Sequence, residues 1–236
     1  VWLDEVVEIC NERNIAIVED ASESLGTRYV KGKFQGKHTG TVGKLGCISF
    51  NGNKIITSGG GGMILTDDDQ LAERARYLST QAKDDPVRYV HHEVGYNFRL
   101  TNIQAALGLA QLEQLPGFLT KKRAIYKQYV KDLNGSNVYK MAKTPDYSEN
   151  NHWLNVLQLD NSRIKGGYEV IMEMLASKNI QTRHVWGLNH LQAPFKKFQA
   201  IKIENADKLV ENSLCLPSSV NLTAELIDDI CMVLND

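Results

Sequence analysis

Apolar residues near the start of the chain recur at Leu3, Val6, Val7 and Cys10, the spacing of an amphipathic helix, and predict a helix over residues 3–14. The pattern then changes to Ile15-Ala16-Ile17-Val18, an unbroken apolar run that predicts a short strand covered on both faces. Helix followed by buried strand is the rhythm of an α/β protein. Lys31-Gly32-Lys33 and Gln35-Gly36-Lys37 are polar and punctuated by glycine, as in a surface hairpin. Two further strands are predicted at Cys47-Ile48-Ser49-Phe50 and Gly62-Met63-Ile64-Leu65-Thr66, on either side of a loop over residues 51–61.

Helical spacing returns over residues 68–80, with Leu71, Ala75 and Leu78 on one side. A long helical tract covers residues 101–115, is broken at Pro116-Gly117, and resumes over 119–133, which places a hinge between domains there. Residues 152–159 alternate as a half-buried strand, 167–178 form an amphipathic helix, and 180–186 form another strand. An apolar segment at 214–220 and a helix over 224–234, with Thr223 as its N-cap, close the chain. The pattern predicts a parallel-sheet α/β part over residues 1–117 and a smaller α+β part over 118–236.

Composition narrows the functional classes. At 236 residues the chain can bury one large core or two modest ones. Its 27 Lys+Arg balance 28 Asp+Glu for a net charge of -1, and no basic stripe interleaves with aromatics, so nucleic acid is not an expected partner. No apolar run approaches the roughly 20 residues that span a bilayer, which predicts a soluble, cytoplasmic protein. Cys10, Cys47, Cys215 and Cys231 lack CxxC spacing and sit in apolar patterns, so buried free thiols are expected and a metal site is not. The opening residues have neither the basic start nor the small-residue cleavage site of a signal peptide, and they begin in mid-helix, as though a segment preceded them.

Two positions invite chemistry. Asp20 follows the apolar run directly, at the C-terminal end of a predicted strand, where open α/β sheets place ligands; a turn or cap residue is the plainer alternative. Lys54 lies five residues after Ser49 and just before Thr57-Ser58-Gly59-Gly60-Gly61-Gly62, a run able to adopt positive φ and approach a ligand closely. The segment lacks the first glycine and the hydroxyl of a phosphate-binding P-loop, which disfavours a nucleoside triphosphatase. Taken alone, Lys54 also reads as a solvated charge.

In combination, Val18-Glu19-Asp20-Ala21, Ser49 ahead of Lys54, the glycine run, the block from Gly95 through Asn97, Arg99 and Thr101 to Ala106, and Leu216-Pro217 before Leu222-Thr223 resemble the DegT/DnrJ/EryC1/StrS family of sugar aminotransferases. The resemblance covers nearly the whole chain. It implies a fold-type I, pyridoxal-phosphate-dependent transferase in which Lys54 is the Schiff-base lysine, Asp20 pairs with the pyridine nitrogen and Ser49 holds the phosphate. Asn97 and Arg99 match a pair that reaches across a homodimer interface to a shared site; as a plainer alternative they cap the following helix. Trp186 and His190 resemble a segment that binds the nucleotide sugar, the alternatives being a core aromatic and a satisfied histidine. Glu23 stands where many relatives carry Gln or His against the cofactor ring, so it is neutral, turned away or paired.

The activity implied is transfer of an amino group from an amino acid, L-glutamate, to a UDP-, GDP- or dTDP-linked keto-deoxy sugar in polysaccharide or glycan biosynthesis. The Glu23-Ser24-Leu25 and Trp186-Gly187-Leu188 wording resembles members acting on UDP-linked 4-keto precursors. Two alternatives stand beside it: a cofactor-binding relative without aminotransfer, and a fragment that binds the cofactor poorly because the family's N-terminal phosphate-binding segment precedes Val1.

Overall fold

The computed structural model describes residues 1–133 and 135–235. Along the chain run α1 (Leu3–Glu12), β1 (Val18–Asp20), β2 (Arg28–Tyr29), β3 (Leu45–Ser49), β4 (Gly62–Leu65), α2 (Asp69–Ser79) and α3 (Asn102–Asp132). Then follow β5 (Tyr139–Met141), β6 (Ser148–Glu149), β7 (Asn155–Leu159), α4 (Gly167–Ser177), β8 (Arg183–His184), α5 (Glu204–Glu211), β9 (Ser213–Leu216) and α6 (Ala224–Asn235). The chain forms two units: Val1–Leu119 together with Thr144–Trp153, and Thr120–Lys143 together with the residues from Leu154 onward.

In the first unit a three-stranded sheet has the order β1-β3-β4. β1 is parallel to β3, with Asp20 opposite Cys47, and β3 is antiparallel to β4, with Ser49 opposite Gly62. The expected two-faced cover of the first strand is absent: Val18 is 58% and Ile15 53% exposed. β1 is three residues long and, among the described residues, pairs with β3 alone. Register beside β3 depends on glycine. A Cβ at Gly46 would run into the Gly40 carbonyl, so only glycine lets the turn before β3 lie so close. That turn is held by Glu19, whose carboxylate accepts the N–H groups of Gly40 at 2.9 Å and of Val42 and Gly43 at 2.6 Å each.

The glycine-punctuated hairpin forms: Gly36 N–H donates to the Tyr29 carbonyl and Tyr29 N–H to the Lys37 carbonyl. β2 then pairs antiparallel with β6, which belongs to the returning segment Thr144–Trp153. Asp68 caps α2, its side chain accepting from the N–H groups of Gln70 and Leu71.

α3 corrects the expected break at Pro116. It is one helix of 31 residues with the proline inside it. An interior proline costs about 3 kcal/mol through its missing donor and its clash with the preceding turn. Burial of Leu115 before it and of Ile125, Tyr129 and Leu133 after it outweighs that cost.

The second unit is built on the antiparallel sheet β5-β7-β9-β8. Alternation along β7 turns Asn155, Leu157 and Leu159 inward. They meet Leu214 and Leu216 of β9, Ile171 and Leu175 of α4, Ile227, Ile230, Cys231 and Leu234 of α6, and the C-terminal part of α3. Thr223 caps α6 through its Oγ1, which accepts from Leu226 N–H at 3.3 Å. The strand expected over 180–186 shrinks to Arg183–His184, and α5 forms where no helix was expected, although Ile203, Ala206, Leu209 and Val210 recur at helical spacing.

All four cysteines are free. Cys215 and Cys231 are buried as expected, whereas Cys10 and Cys47 are only half-buried. No helix of the described residues is long and apolar enough to cross a membrane.

Candidate active site

Asp20 ends β1 and Ser49 ends β3; since the two strands are parallel and Asp20 lies opposite Cys47, both side chains reach the same end of the sheet. That is the end at which parallel strands offer side chains to ligands. Lys54 belongs to the loop that leaves this end of β3, and the loop is closely held. Phe50 N–H donates to the Gly61 carbonyl and Ser58 N–H to the Phe50 carbonyl, each at 3.0 Å, while Lys54 N–H closes a turn on the Asn51 carbonyl. The Thr57 hydroxyl also donates to Phe50 O. Gly59 and Gly61 both take φ of 81°, the conformation anticipated for the glycine run. Ser49 Oγ accepts from Asn51 N–H at 3.3 Å.

Two side chains contact the lysine. Glu23 Oε1 is 3.3 Å from Lys54 Nζ, and the Lys54 ammonium lies 4.5 Å from the centre of the Trp153 ring. Trp153 donates its indole N–H to the Asn53 carbonyl at 2.7 Å. Hydrogen bonds from the Ser22 hydroxyl and N–H, with a smaller attraction from Lys54, hold the Asp20 carboxyl below its ordinary pKa against the weak opposing effect of burial. Asp20 thus occupies a turn, as the plainer alternative had it, and also faces Lys54 with its charge.

The turn carrying Glu23 is fixed from afar. Asn151, 3% exposed, donates its side-chain amide to the carbonyls of Glu23 and Leu25, at 3.0 Å each. Asn151 and Trp153 carried no functional expectation; Trp153 fell within the strand expected over residues 152–159, which begins only at Asn155.

Asn97 and Arg99 are exposed. Asn97 bridges to Thr80 at the end of α2, and the Leu100 side chain lies against Gly61. Neither Asn97 nor Arg99 caps α3. Thr101 does so reciprocally: its Oγ1 accepts from Gln104 N–H, and the Gln104 side chain accepts from Thr101 N–H at 3.1 Å. Trp186 and His190 lie in the second unit, after β8; Trp186 is 58% exposed, so it is no core aromatic.

The model of the DegT/DnrJ/EryC1/StrS aminotransferase family matches residues 2–235, and the chain belongs to that family. It is similar to EpsN of Bacillus subtilis, named as a pyridoxal phosphate-dependent aminotransferase, at 38% identity over 94% of this chain and 56% of EpsN. It is also similar to the GDP-perosamine synthase of Escherichia coli O157:H7, at 35% identity over 99% of this chain and 61% of the synthase. The chain therefore spans about three fifths of the length of these curated relatives. Among solved structures, Helicobacter pylori PseC, an aminotransferase of pseudoaminic acid biosynthesis, superposes with a TM-score of 0.88 at 23% identity, covering 100% of this chain and 63% of PseC. The fold is that of the PLP-dependent sugar aminotransferases.

Proposed function

We propose that this chain is the greater part of a pyridoxal-phosphate-dependent aminotransferase that moves an amino group from an amino acid, L-glutamate, to a nucleotide-linked keto-deoxy sugar for polysaccharide or glycan synthesis. The observation that carries the reading is the convergence of Lys54, Asp20 and Ser49 at one end of the β1–β3 pair. The cofactor's needs match these groups: an amine for its aldehyde, an ionised carboxylate for its ring nitrogen, and donors for its phosphate. Asp20 is held ionised by Ser22 and Lys54, as a partner of a protonated pyridine must be. When bound, pyridoxal phosphate supplies an electron sink for negative charge at the substrate carbon.

The chain's residues then divide the work. Lys54 holds the cofactor and, once released, carries a proton on Nζ between the two carbons that exchange it. Asp20 keeps the ring nitrogen protonated, and Ser49 donates to the phosphate. Residues 1–117 belong to the large cofactor-binding domain, joined by the returning segment Thr144–Trp153, and the rest of 118–236 to the linking helix and small domain. In a homodimer Asn97 and Arg99 of one subunit reach the site of the other, which agrees with their exposure. Trp186 and His190 serve the nucleotide sugar, and the enzyme works in the cytoplasm. GDP-perosamine synthase among the relatives supports a nucleotide sugar as acceptor.

Borohydride reduction of the protein mixed with pyridoxal phosphate, followed by peptide mapping, tests this reading. The label is expected on Lys54; a label confined to Lys37 or Lys44 would overturn it.

A further inference from the structure

Gln158 of β7 lies opposite Lys140 of β5 on one side and Ser213 of β9 on the other. Its chain neighbours Leu157 and Leu159 point into the core of the second unit, and side chains alternate along a strand, so Gln158 faces away from that core. Residues directly opposite one another share a face, which puts Lys140, Gln158 and Ser213 in one polar row across the outer side of the sheet. The row descends as it crosses: Lys140 is exposed, Gln158 half-buried and Ser213 only 2% exposed.

This row lines a cavity of about 560 Å³, together with the turn before β5, the turn after β7 and the end of α5, where Lys208, Leu209 and Asn212 reach it. Small-molecule sites occupy roughly 300–1,000 Å³. Every residue of the lining belongs to the second unit.

Two features of the lining call for a ligand. Ser213 Oγ is buried and, among the described residues, has no hydrogen-bond partner, a costly state for a hydroxyl unless something in the cavity meets it. Lys140 and Lys208 bring ammonium groups that, among the described residues, make neither a hydrogen bond nor an ion pair. Asp160, the acid of the lining, is already engaged: its oxygens accept from the Ser162 hydroxyl at 2.6 Å and from Arg163 Nε at 3.3 Å. Glu204 and Glu211 stand about one turn either side of Lys208 on α5, outside the lining. The cavity thus offers two uncommitted cations and no uncommitted anion. Beside them Gln158, Asn137 and Asn212 carry donors and acceptors together, the mixture that sugar hydroxyls also present. Tyr139, the aromatic of the lining, packs on the core, so no free ring face awaits a nucleobase.

We infer that this cavity is a binding site for a phosphorylated monosaccharide, its hydroxyls met by Ser213 and Gln158 and its phosphate by Lys140 and Lys208. The site uses neither Lys54 nor Asp20, so it does not depend on which lysine holds the cofactor.

Calorimetric titration of the full chain with glucose 1-phosphate and glucose 6-phosphate, beside glucose and inorganic phosphate, tests the site. One of the two hexose phosphates is expected to bind roughly tenfold or more tightly than glucose or phosphate alone. Lys140→Gln and Lys208→Gln, both at exposed positions, are each expected to weaken that binding about tenfold, the scale of one lost charge-assisted contact, while Lys131→Gln on α3 leaves it unchanged. Ser213→Ala is expected to weaken it about fivefold and yet leave the urea midpoint of the ligand-free protein unchanged or higher, since the hydroxyl has no partner to lose. A lowered midpoint with unaltered affinity would assign Ser213 to the fold and sink the proposal. So would the absence of binding by either hexose phosphate, equal affinity for inorganic phosphate, or an affinity indifferent to both lysine substitutions.

Discussion

The indole N–H of Trp153 donates to the backbone carbonyl of Asn53 at 2.7 Å, one residue before the lysine whose ammonium the same ring covers. A single side chain thus fixes both the backbone and the charge of the loop. Trp153→Phe removes the first effect and leaves most of the second. A neutral hydrogen bond is worth about 1 kcal/mol, so amide exchange at Lys54 and Ser58 is expected to quicken about fivefold in this variant. Unchanged protection measured by hydrogen exchange would mean that the loop is held by its own turns alone.

Glu19 and Asp20 are adjacent carboxylates with different tasks. Glu19 spends its oxygens on three backbone N–H groups of the turn at Gly40–Gly43, whereas Asp20 accepts from its neighbour Ser22. Glu19→Ala is expected to destabilise the protein by about 3 kcal/mol, the scale of one or two lost charge-assisted bonds. Urea unfolding checks this, and Asp20→Ala should stay within about 0.5 kcal/mol of the parent.

Asp20→Asn is expected to leave cofactor retention measurable by absorbance while lowering transamination by roughly 10²-fold or more. Near-normal turnover in stopped-flow measurements with glutamate would reduce Asp20 to a turn residue.

A pH effect is expected in the second unit. Burial, with Asp132 and Asp228 adding repulsion, pushes the Cys231 thiol up to about 12 from 9.0. The folded value lies above the unfolded one, so the contribution is complete below pH 9 and is lost as pH rises from 9 toward 12. By pH 10 the loss should reach about 1 kcal/mol. Chemical denaturation at pH 8 and pH 10 should show a smaller decline in Cys231→Ala than in the parent, and equal declines would assign the alkaline sensitivity to other groups.

Much of the site was legible because its parts are local. Asp20 follows an apolar run, Ser49 and Lys54 share one strand-and-loop segment, and the positive φ of Gly59 and Gly61 is a property glycine announces by itself. The caps at Asp68 and Thr223 were equally local, although only Thr223 was anticipated as one. What was not legible depends on distance along the chain. Trp153 meets Asn53 across 100 residues, and Asn151 meets Glu23 across 128, and no nearby pattern encodes either contact. The continuity of α3 through Pro116 was misread for a related reason: local propensity argues for a break, and buried side chains on both sides of the proline decide otherwise.

The return of Thr144–Trp153 to the first unit has a bearing on how the chain is made. Synthesis yields Lys54 first, and the indole that roofs its loop and the amide that grips the Glu23 turn emerge about a hundred residues later, after α3 and β5. At roughly 5–20 residues per second, a nascent chain spends several seconds or more with the lysine loop in place and its roof unmade. Removing everything after Leu119, the returning segment Thr144–Trp153 included, would recreate that interim state permanently. The lysine would keep its strand and its glycines, and lose the two residues that hold its surroundings still.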